Sequence, residues 1–166
     1  MKKILICVLF LIISSCGAGW SDVLNDLGNG YYYLGEGSPV NYIYRSMKPD
    51  SKSIDKIIIY PNVSSYDCDR NHIVVFQELS YESMMYAITL EKDLDIFSNT
   101  EERELAEKKA DSILKNDPHY KQLFLRKANY WIISKKDHQV YGPYSKAEYE
   151  AQRKELGVSE DLVLEE

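Results

Sequence analysis

Cysteine is scarce in this chain of 166 residues, which contains only three. Cys7 and Cys16 both lie within the first sixteen positions, so Cys68 is the only cysteine in the remainder. A single thiol cannot form an intramolecular disulfide, and a disulfide framework is therefore excluded. Because free cysteine is among the most buried residue types, we predict that Cys68 is an inert thiol in the core.

The sequence also lacks the short motifs that accompany common active sites. It has no Gly-x-Ser-x-Gly nucleophile elbow, and no glycine-rich phosphate loop precedes a helix. Asp67, Cys68 and His72 could supply a carboxylate, a thiol and an imidazole, but their spacing matches no metal-ligand or nucleophile motif. Aspartates between two strands are typical of turns, since their side chains bond their own backbone. We therefore predict no catalytic residue, no metal site and no cofactor.

The amino terminus carries the clearest pattern in the chain. Lys2 and Lys3 precede an apolar run at residues 4–13 that is too short to span a bilayer, and small residues follow it. A basic stretch, a short apolar stretch and small residues before a cleavage point are typical of an export signal. We predict that residues 1–15 are removed as a signal peptide.

The end of this signal, Ile13-Ser14-Ser15-Cys16, resembles the lipobox of bacterial lipoproteins. The resemblance implies that the Cys16 thiol receives a diacylglycerol and becomes the first residue of the mature protein. Two or three acyl chains would hold it in the membrane, because each buried methylene contributes roughly 0.8 kcal/mol. The alternative is an ordinary secretory signal in which Cys16 is an incidental thiol.

The residues after Cys16 indicate which membrane carries the anchor. Gly17 stands where the resemblance places an aspartate in lipoproteins that stay on the inner membrane, which implies the outer membrane if the cell has one. Residues 17–22 also lack a run of acids, which favours the periplasmic face over surface display.

The chain is acidic, and its charge restricts its partners. The formal charge is −6, and loss of the two signal lysines makes it −8. An acidic body is repelled by nucleic acid and by anionic lipid headgroups, so we expect no nucleic-acid partner and a membrane attachment through Cys16 alone. The remaining length suits one domain. We predict a lipidated cysteine and tether at residues 16–30 and a single domain at residues 31–166.

Hydrophobic patterning within residues 31–166 predicts a mainly antiparallel sheet. Runs rich in aromatic and β-branched residues are separated by turn residues. These predicted strands are Tyr31–Leu34, Val40–Arg45, Lys56–Tyr60, His72–Gln77, Met84–Leu90, Asn129–Ser134 and Gln139–Tyr141. The last two are separated by Lys135-Lys136-Asp137-His138, which predicts a hairpin.

Two helices are predicted between and after these strands. The first begins with a capping box at Ser98 and Glu101 and ends before Pro118, and the second begins with Ser145 and Glu148 and ends at Gly157. Together they predict an α+β fold, with one helix inserted in a mainly antiparallel sheet and one helix at the carboxyl terminus.

The carboxyl-terminal segments Tyr130–Ile133, Val140–Ser145 and Ala147–Glu150 resemble a family of small bacterial lipoproteins of unknown function. Leu27-Gly28-Asn29-Gly30-Tyr31 is similar to the start of the domain in that family. The resemblance implies a location and a fold and implies no activity. The segment Ser98–Pro118 looks long for the family, which suggests an insertion.

Tyrosine is unusually frequent, with 14 residues in the chain. Adjacent residues of a strand point to opposite faces, so clusters such as Tyr31-Tyr32-Tyr33 must place some rings outward. Exposed aromatic rings are typical of sugar and protein recognition. The candidate binding residues are Tyr31, Tyr33, Tyr42, Tyr44 and Trp131. The alternative is that these tyrosines simply pack the sheet.

Three function classes remain after these exclusions. We expect a membrane-anchored, non-catalytic lipoprotein that binds a protein or glycan partner in the cell envelope. A lipid-anchored inhibitor or immunity protein is the alternative, since a small acidic domain suits the blocking of a basic enzyme. An envelope enzyme without a recognisable motif is the third class, and it would require Asp67, Cys68 and a histidine to meet in one cleft.

Overall fold

A computed structural model describes residues 23–35, 41–48, 53–92, 94 and 99–166. The described residues form an α+β fold of two antiparallel four-stranded sheets and four helices, which confirms the predicted class. The structure differs from the prediction in one main respect, since the strands are divided between two sheets. The division falls at Tyr60–Asn62, the short connection between the fourth and fifth strands.

Sheet A is a meander of four consecutive strands in the order β1-β2-β3-β4. Its strands are β1 (Val23–Gly28), β2 (Tyr31–Gly35), β3 (Asn41–Arg45) and β4 (Lys56–Ile59). The turn between β1 and β2 depends on glycine, because Gly30 has a φ of 80° and a Cβ there would lie 2.7 Å from the Ser46 carbonyl oxygen.

Sheet B has the order β5-β6-β7-β8 and is interrupted in sequence by three helices. Its strands are β5 (Val63–Cys68), β6 (His72–Glu78), β7 (Ala128–Ser134) and β8 (Val140–Tyr144). The hairpin of β7 and β8 was predicted, and the backbone N–H of Ser134 donates to the carbonyl oxygen of Gln139 at 2.9 Å to close it. Pro143 lies on β8, which is an edge strand.

The four helices are α1 (Tyr81–Glu91), α2 (Thr100–Asn116), α3 (Pro118–Leu123) and α4 (Lys146–Glu155). The capping box of α4 is present as predicted, with Ser145 and Glu148 bonding reciprocally. Gly157 follows α4 with a φ of 65°, as expected for a helix stop. At α2 the capping residue is Asn99, whose side chain accepts from the N–H of Glu102. The predicted cap, Ser98, lies outside the described residues.

The prediction of a strand at Met84–Leu90 is wrong, because these residues belong to helix α1. Met84, Ala87 and Ile88 are all buried and recur at helical spacing, so they form one face of α1. A short apolar run cannot be assigned to a strand or a buried helix from periodicity alone. Three further elements were not predicted: β1, which occupies residues assigned to the tether, β5 and α3.

One core lies between the two sheets and the helical segment α1–α3. Sheet A contributes Leu27, Tyr31, Ile43 and Ile59, and sheet B contributes Val63, Ile73, Val75, Trp131 and Ile133. The helices close the same core with Met84, Ile88, Ala110, Leu114, Tyr120 and Leu123. A smaller core lies on the other face of sheet B, where Tyr149 of α4 packs with Val158 and Leu162.

A buried glutamine ties the connection between the sheets to this core. The amide nitrogen of Gln77 donates to the carbonyl oxygens of Tyr60 at 2.8 Å and Pro61 at 3.2 Å. Its amide oxygen accepts from the indole N–H of Trp131 at 3.0 Å. Gln77 is fully buried, so each of these groups depends on it for a partner away from water.

Replacing Gln77 with leucine is therefore expected to lower the free energy of unfolding by about 3 kcal/mol, because buried polar groups left unsatisfied cost roughly 1–3 kcal/mol each. The matched control is Gln122→Leu, an exposed position on α3, which should change stability by less than about 0.5 kcal/mol. Urea denaturation followed by far-UV circular dichroism measures both. Equal stability of the two variants would contradict this account of Gln77.

Candidate functional site

The residues predicted as a binding surface do not share one exposed face. Tyr31, Tyr42, Tyr44 and Trp131 are 0%, 2%, 2% and 8% exposed, and Tyr33 is half-buried. Tyr31, Tyr33 and Trp131 pack in or against the core between the sheets, whereas Tyr42 and Tyr44 lie on the opposite face of sheet A. The burial of Tyr31, Tyr42, Tyr44 and Trp131 is what the alternative interpretation expects, in which these rings pack the sheets. Cys16 lies outside the described residues.

Of the three residues considered for catalysis, Cys68 faces away from the other two. Cys68 packs against the core between the sheets, and its strand neighbour Asp67 points to the other face, where its carboxylate accepts from the N–H of Val163 at 3.0 Å. His72 pairs across the β6–β7 ladder with Ser134. In register, Cys68 opposes Ile73 and Asp67 opposes Val74, so Cys68 faces away from both potential partners.

The polar groups near Cys68 serve the turn between β5 and β6. One carboxylate oxygen of Asp69 accepts from the N–H groups of Asn71 and His72, both at 2.7 Å. Burial opposes the charge of this carboxyl, but these backbone hydrogen bonds outweigh burial and lower the pKa of Asp69. This agrees with the predicted turn chemistry at Asp69, whereas Asp67 lies in strand β5 and not in the turn. Among the described residues, no three His, Cys, Asp or Glu side chains are grouped closely enough to hold a metal ion.

The described surface contains a groove that the sequence did not reveal, which we call the basic groove. It lies where the β1–β2 turn, the end of β3 and the β7–β8 turn meet, and its volume is about 560 Å³. The residues that line it are Asp26, Gly28, Asn29, Gly30, Tyr32, Arg45, Ser46, Met47, Lys135, Lys136 and His138. Two lysines, an arginine and a histidine therefore converge on one site of a chain whose net charge is −6.

Arg45, the last residue of β3, is the least satisfied cation of the groove. Its guanidinium lies over the ring of Tyr31, with 5.7 Å between the guanidinium carbon and the ring centroid. Its Nε is buried and has no hydrogen-bond partner among the described residues. The guanidinium fork has five N–H donors, so Arg45 retains capacity to bind an acceptor from outside the chain.

Lys135 forms the floor of the groove and is 4% exposed. Its ammonium donates to the carbonyl oxygen of Leu27 on β1 and to that of Asp69 at 2.5 Å. The carbonyl oxygen of Lys135 accepts from the side-chain amide of Asn29 at 3.1 Å. These bonds fix the β1–β2 turn of sheet A against the β7–β8 turn of sheet B, which determines the shape of the groove.

His138 closes the groove from the β7–β8 turn. Its Nδ1 lies 3.2 Å from the hydroxyl oxygen of Tyr31, and the two ring centroids are 5.8 Å apart. The same Tyr31 ring lies under Arg45, so one buried aromatic side chain positions two groove residues. Burial raises the pKa of the Tyr31 phenol, an effect that the Arg45 charge partly opposes, and the phenol therefore stays neutral beside His138.

A second polar cluster joins α1 to the core. The hydroxyls of Tyr60 and Tyr120 both donate to one carboxylate oxygen of Glu91, at 2.8 Å and 2.9 Å. Burial and the bond to Glu91 raise the pKa of both phenols, that of Tyr120 to about 12. Burial acts against the charge of Glu91, but the two phenols outweigh it and lower its pKa. Glu91 and Tyr60 line a cavity of about 480 Å³.

Sequence reasoning missed the basic groove because its parts are distant in sequence. Asn29 and Lys135 are in contact and lie 106 positions apart. The adjacent Lys135 and Lys136 within a predicted turn were a signal for local positive charge. No pattern in the sequence could place Arg45 beside them.

Residues 100–166 match a family model described as a protein of unknown function (DUF3997). The match covers less than half of the chain and includes α2, α3, the β7–β8 hairpin and α4. It therefore contains the carboxyl-terminal motifs on which the sequence resemblance rested, whereas Leu27–Tyr31 lies outside it. It also includes α2, which the sequence analysis had interpreted as an insertion. No curated protein and no solved structure shows significant similarity to the chain.

The matched segment supplies only one side of the basic groove. Lys135, Lys136 and His138 lie within it, whereas Arg45 and the β1–β2 turn do not.

No helix within the described parts of the chain is both long enough and apolar enough to cross a bilayer.

Replacing Glu91 with glutamine should lower the free energy of unfolding at pH 7 by about 1 kcal/mol. Hydrogen bonds to a charged acceptor are stronger than hydrogen bonds between neutral groups, but the partial exposure of Glu91 weakens them. Folding lowers the pKa of Glu91, so its negative charge stabilises the fold at every pH above the ordinary glutamate pKa. This stabilisation is lost as the pH falls through the lower pKa that Glu91 has in the folded state. The difference between wild type and E91Q should therefore shrink below about pH 4.

Urea denaturation at a series of pH values between 7 and 3 measures this effect. Glu160→Gln is the matched control, because Glu160 is an exposed residue in the carboxyl-terminal segment. A difference between wild type and E91Q that stayed constant across this range would show that the charge of Glu91 contributes nothing.

Proposed function

We propose that this chain is a bacterial lipoprotein, anchored in the cell envelope through Cys16, that acts by binding a partner and not by catalysis. The observation that carries the proposal is the amino-terminal order of Lys2-Lys3, a short apolar run and Ile13-Ser14-Ser15-Cys16. The family model that matches residues 100–166 is described as of unknown function and adds no activity to this proposal. The membrane is the outer one if the cell has two, and the periplasmic face is favoured.

The position of Cys68 on the opposite face from Asp67 and His72 supports a non-catalytic role. A nucleophilic thiol needs a base within hydrogen-bond reach, and Cys68 faces away from both candidates. The basic groove supports a binding role, because it combines open volume with an arginine whose Nε has no hydrogen-bond partner among the described residues.

The distance between the anchor and the groove is limited by the chain. Seven residue steps separate Cys16 from Val23, the first residue of β1, and seven steps of extended chain span at most about 25 Å. The six residues of β1 then run about 20 Å to the β1–β2 turn, which lines the groove. The groove therefore lies at the opposite end of β1 from the anchor, where a partner in the envelope can reach it.

Replacing Cys16 with serine is expected to move the protein from the membrane fraction to the soluble fraction, because no diacylglycerol can be attached. Cys68→Ser is the matched control and should remain in the membrane fraction, since its thiol lies against the core. Immunoblots of fractionated cells and the mass of the mature amino terminus measure both changes. Identical fractionation of wild type and C16S would contradict the anchor.

The partner can be identified by crosslinking in living cells, with C16S as the unanchored control. A stoichiometric envelope protein or glycan that depends on the anchor would support the proposal. Capture of a basic secreted enzyme, with its activity blocked, would instead support the inhibitor or immunity role, for which the net acidity of the chain is suited. Turnover of an envelope substrate that is lost on substitution of His72 or Asp67 would support the enzyme role.

A further inference from the structure

We propose that the basic groove binds a phosphate group carried by a small water-soluble phosphate ester. This inference rests on the proposed binding role and extends it by naming the chemistry of the ligand. It does not depend on the anchor at Cys16, because every residue that it uses lies between Asp26 and His138.

The first argument is the state of Arg45. A buried polar atom without a partner is rare in folded proteins and requires an explanation. The Nε of Arg45 is such an atom, and no carboxylate of the described residues forms a salt bridge with this guanidinium. Contact with the Tyr31 ring restricts the position of the guanidinium, and the arginine fork can donate to a pair of acceptor oxygens.

The second argument is the convergence of further donors from a different element. Lys135 uses two N–H bonds of its ammonium for the carbonyl oxygens of Leu27 and Asp69, and an ammonium has three. Lys136 is exposed and forms no salt bridge with a described residue. Arg45 from β3 and the two lysines from the β7–β8 turn thus provide three positive charges to one groove.

The acidic groups near the groove are already engaged by the backbone. The Asp26 carboxylate accepts from the N–H of Gly28 at 2.8 Å, within the β1–β2 turn. The Asp137 carboxylate accepts from the N–H of Gln139 at 3.2 Å, within the β7–β8 turn. These two acids offset part of the positive charge, but they are tied to their own turns, and neither forms a salt bridge with Arg45 or Lys136.

The donor groups and the size of the groove favour a phosphate ester over a simple carboxylate. A phosphate offers three acceptor oxygens where a carboxylate offers two, so it can engage donors from both Arg45 and the lysines, and the arginine fork fits phosphate oxygens. The groove volume of about 560 Å³ lies within the range of small-molecule binding sites and is larger than a bare phosphate ion requires. The groove lies at the end of β1 away from Val23, and Val23 marks the end nearer to Cys16 along the chain. This favours a soluble ester over a headgroup of the membrane that holds the anchor.

The test uses the full chain carrying Cys16→Ser in nonionic detergent, with inorganic phosphate and glycerol 3-phosphate as probes at constant ionic strength. Amide NMR shifts of Gly30, Met47 and His138 report binding. We expect saturable shifts with both probes and weakening of at least about tenfold in Arg45→Gln and in Lys136→Gln, since each removes a charge-assisted hydrogen bond. Lys109→Gln, an exposed lysine of α2, is the matched control and should bind like the parent.

Three outcomes would overturn the inference: no saturable shift with either probe, equal shifts with acetate, or binding that survives both groove substitutions. Sedimentation with phosphatidylglycerol vesicles distinguishes the source of the phosphate. Sedimentation that disappears in R45Q would replace the soluble ester with a lipid headgroup as the ligand. Because the protein lacks its anchor in this test, failure here leaves the result of the fractionation experiment standing.

Discussion

The arrangement of the two sheets depends on a buried lysine. Lys135 is almost completely removed from water, and a buried ammonium is strongly destabilising unless its donors find acceptors. Its acceptors are the carbonyl oxygens of Leu27 in sheet A and of Asp69 in the turn between strands β5 and β6 of sheet B, so satisfying the charge requires the two sheets to lie together at this end. Gln77 has the corresponding role at the connection between the sheets, where it joins Trp131 to the backbone at Tyr60 and Pro61.

These two buried polar groups explain why the basic groove is a defined site. Apolar contact between sheet faces is non-directional and would tolerate small shifts, whereas a hydrogen bond to a particular carbonyl would not. Lys135 fixes the β1–β2 turn relative to the β7–β8 turn, and Tyr31 then positions both Arg45 and His138 from beneath. Core and groove are therefore parts of one structure, and the same aromatic ring belongs to both.

The sequence was sufficient for elements whose signals are local. Ser145 and Glu148 defined the start of α4, and aromatic and β-branched residues defined most strands. The sequence was insufficient for the apolar run of α1, where the patterns of a strand and of a buried helix are equally good. It was also insufficient for β1 and β5, because these strands contain many polar residues. The division into two sheets and the meeting of Arg45 with Lys136 depend on tertiary contacts between distant residues. Alternation along a strand could not decide whether Tyr42 and Tyr44 are exposed, because burial on the outer face of a sheet depends on what covers it.

The position of Pro143 has a consequence for contacts between copies of the chain. The exposed edge of a sheet can template pairing with a strand of a neighbouring copy. Proline has no N–H to offer such a neighbour, and the carbonyl oxygen of Pro143 already accepts from Arg126 at 3.2 Å. At β5, the opposite edge of sheet B, Ser65 and Asp67 accept from the N–H groups of Glu165 and Val163 in the carboxyl-terminal segment. Pro143 interrupts the row of backbone donors on β8, and the carboxyl-terminal segment is bound to side chains of β5, so each edge strand of sheet B carries a feature that opposes pairing with another chain.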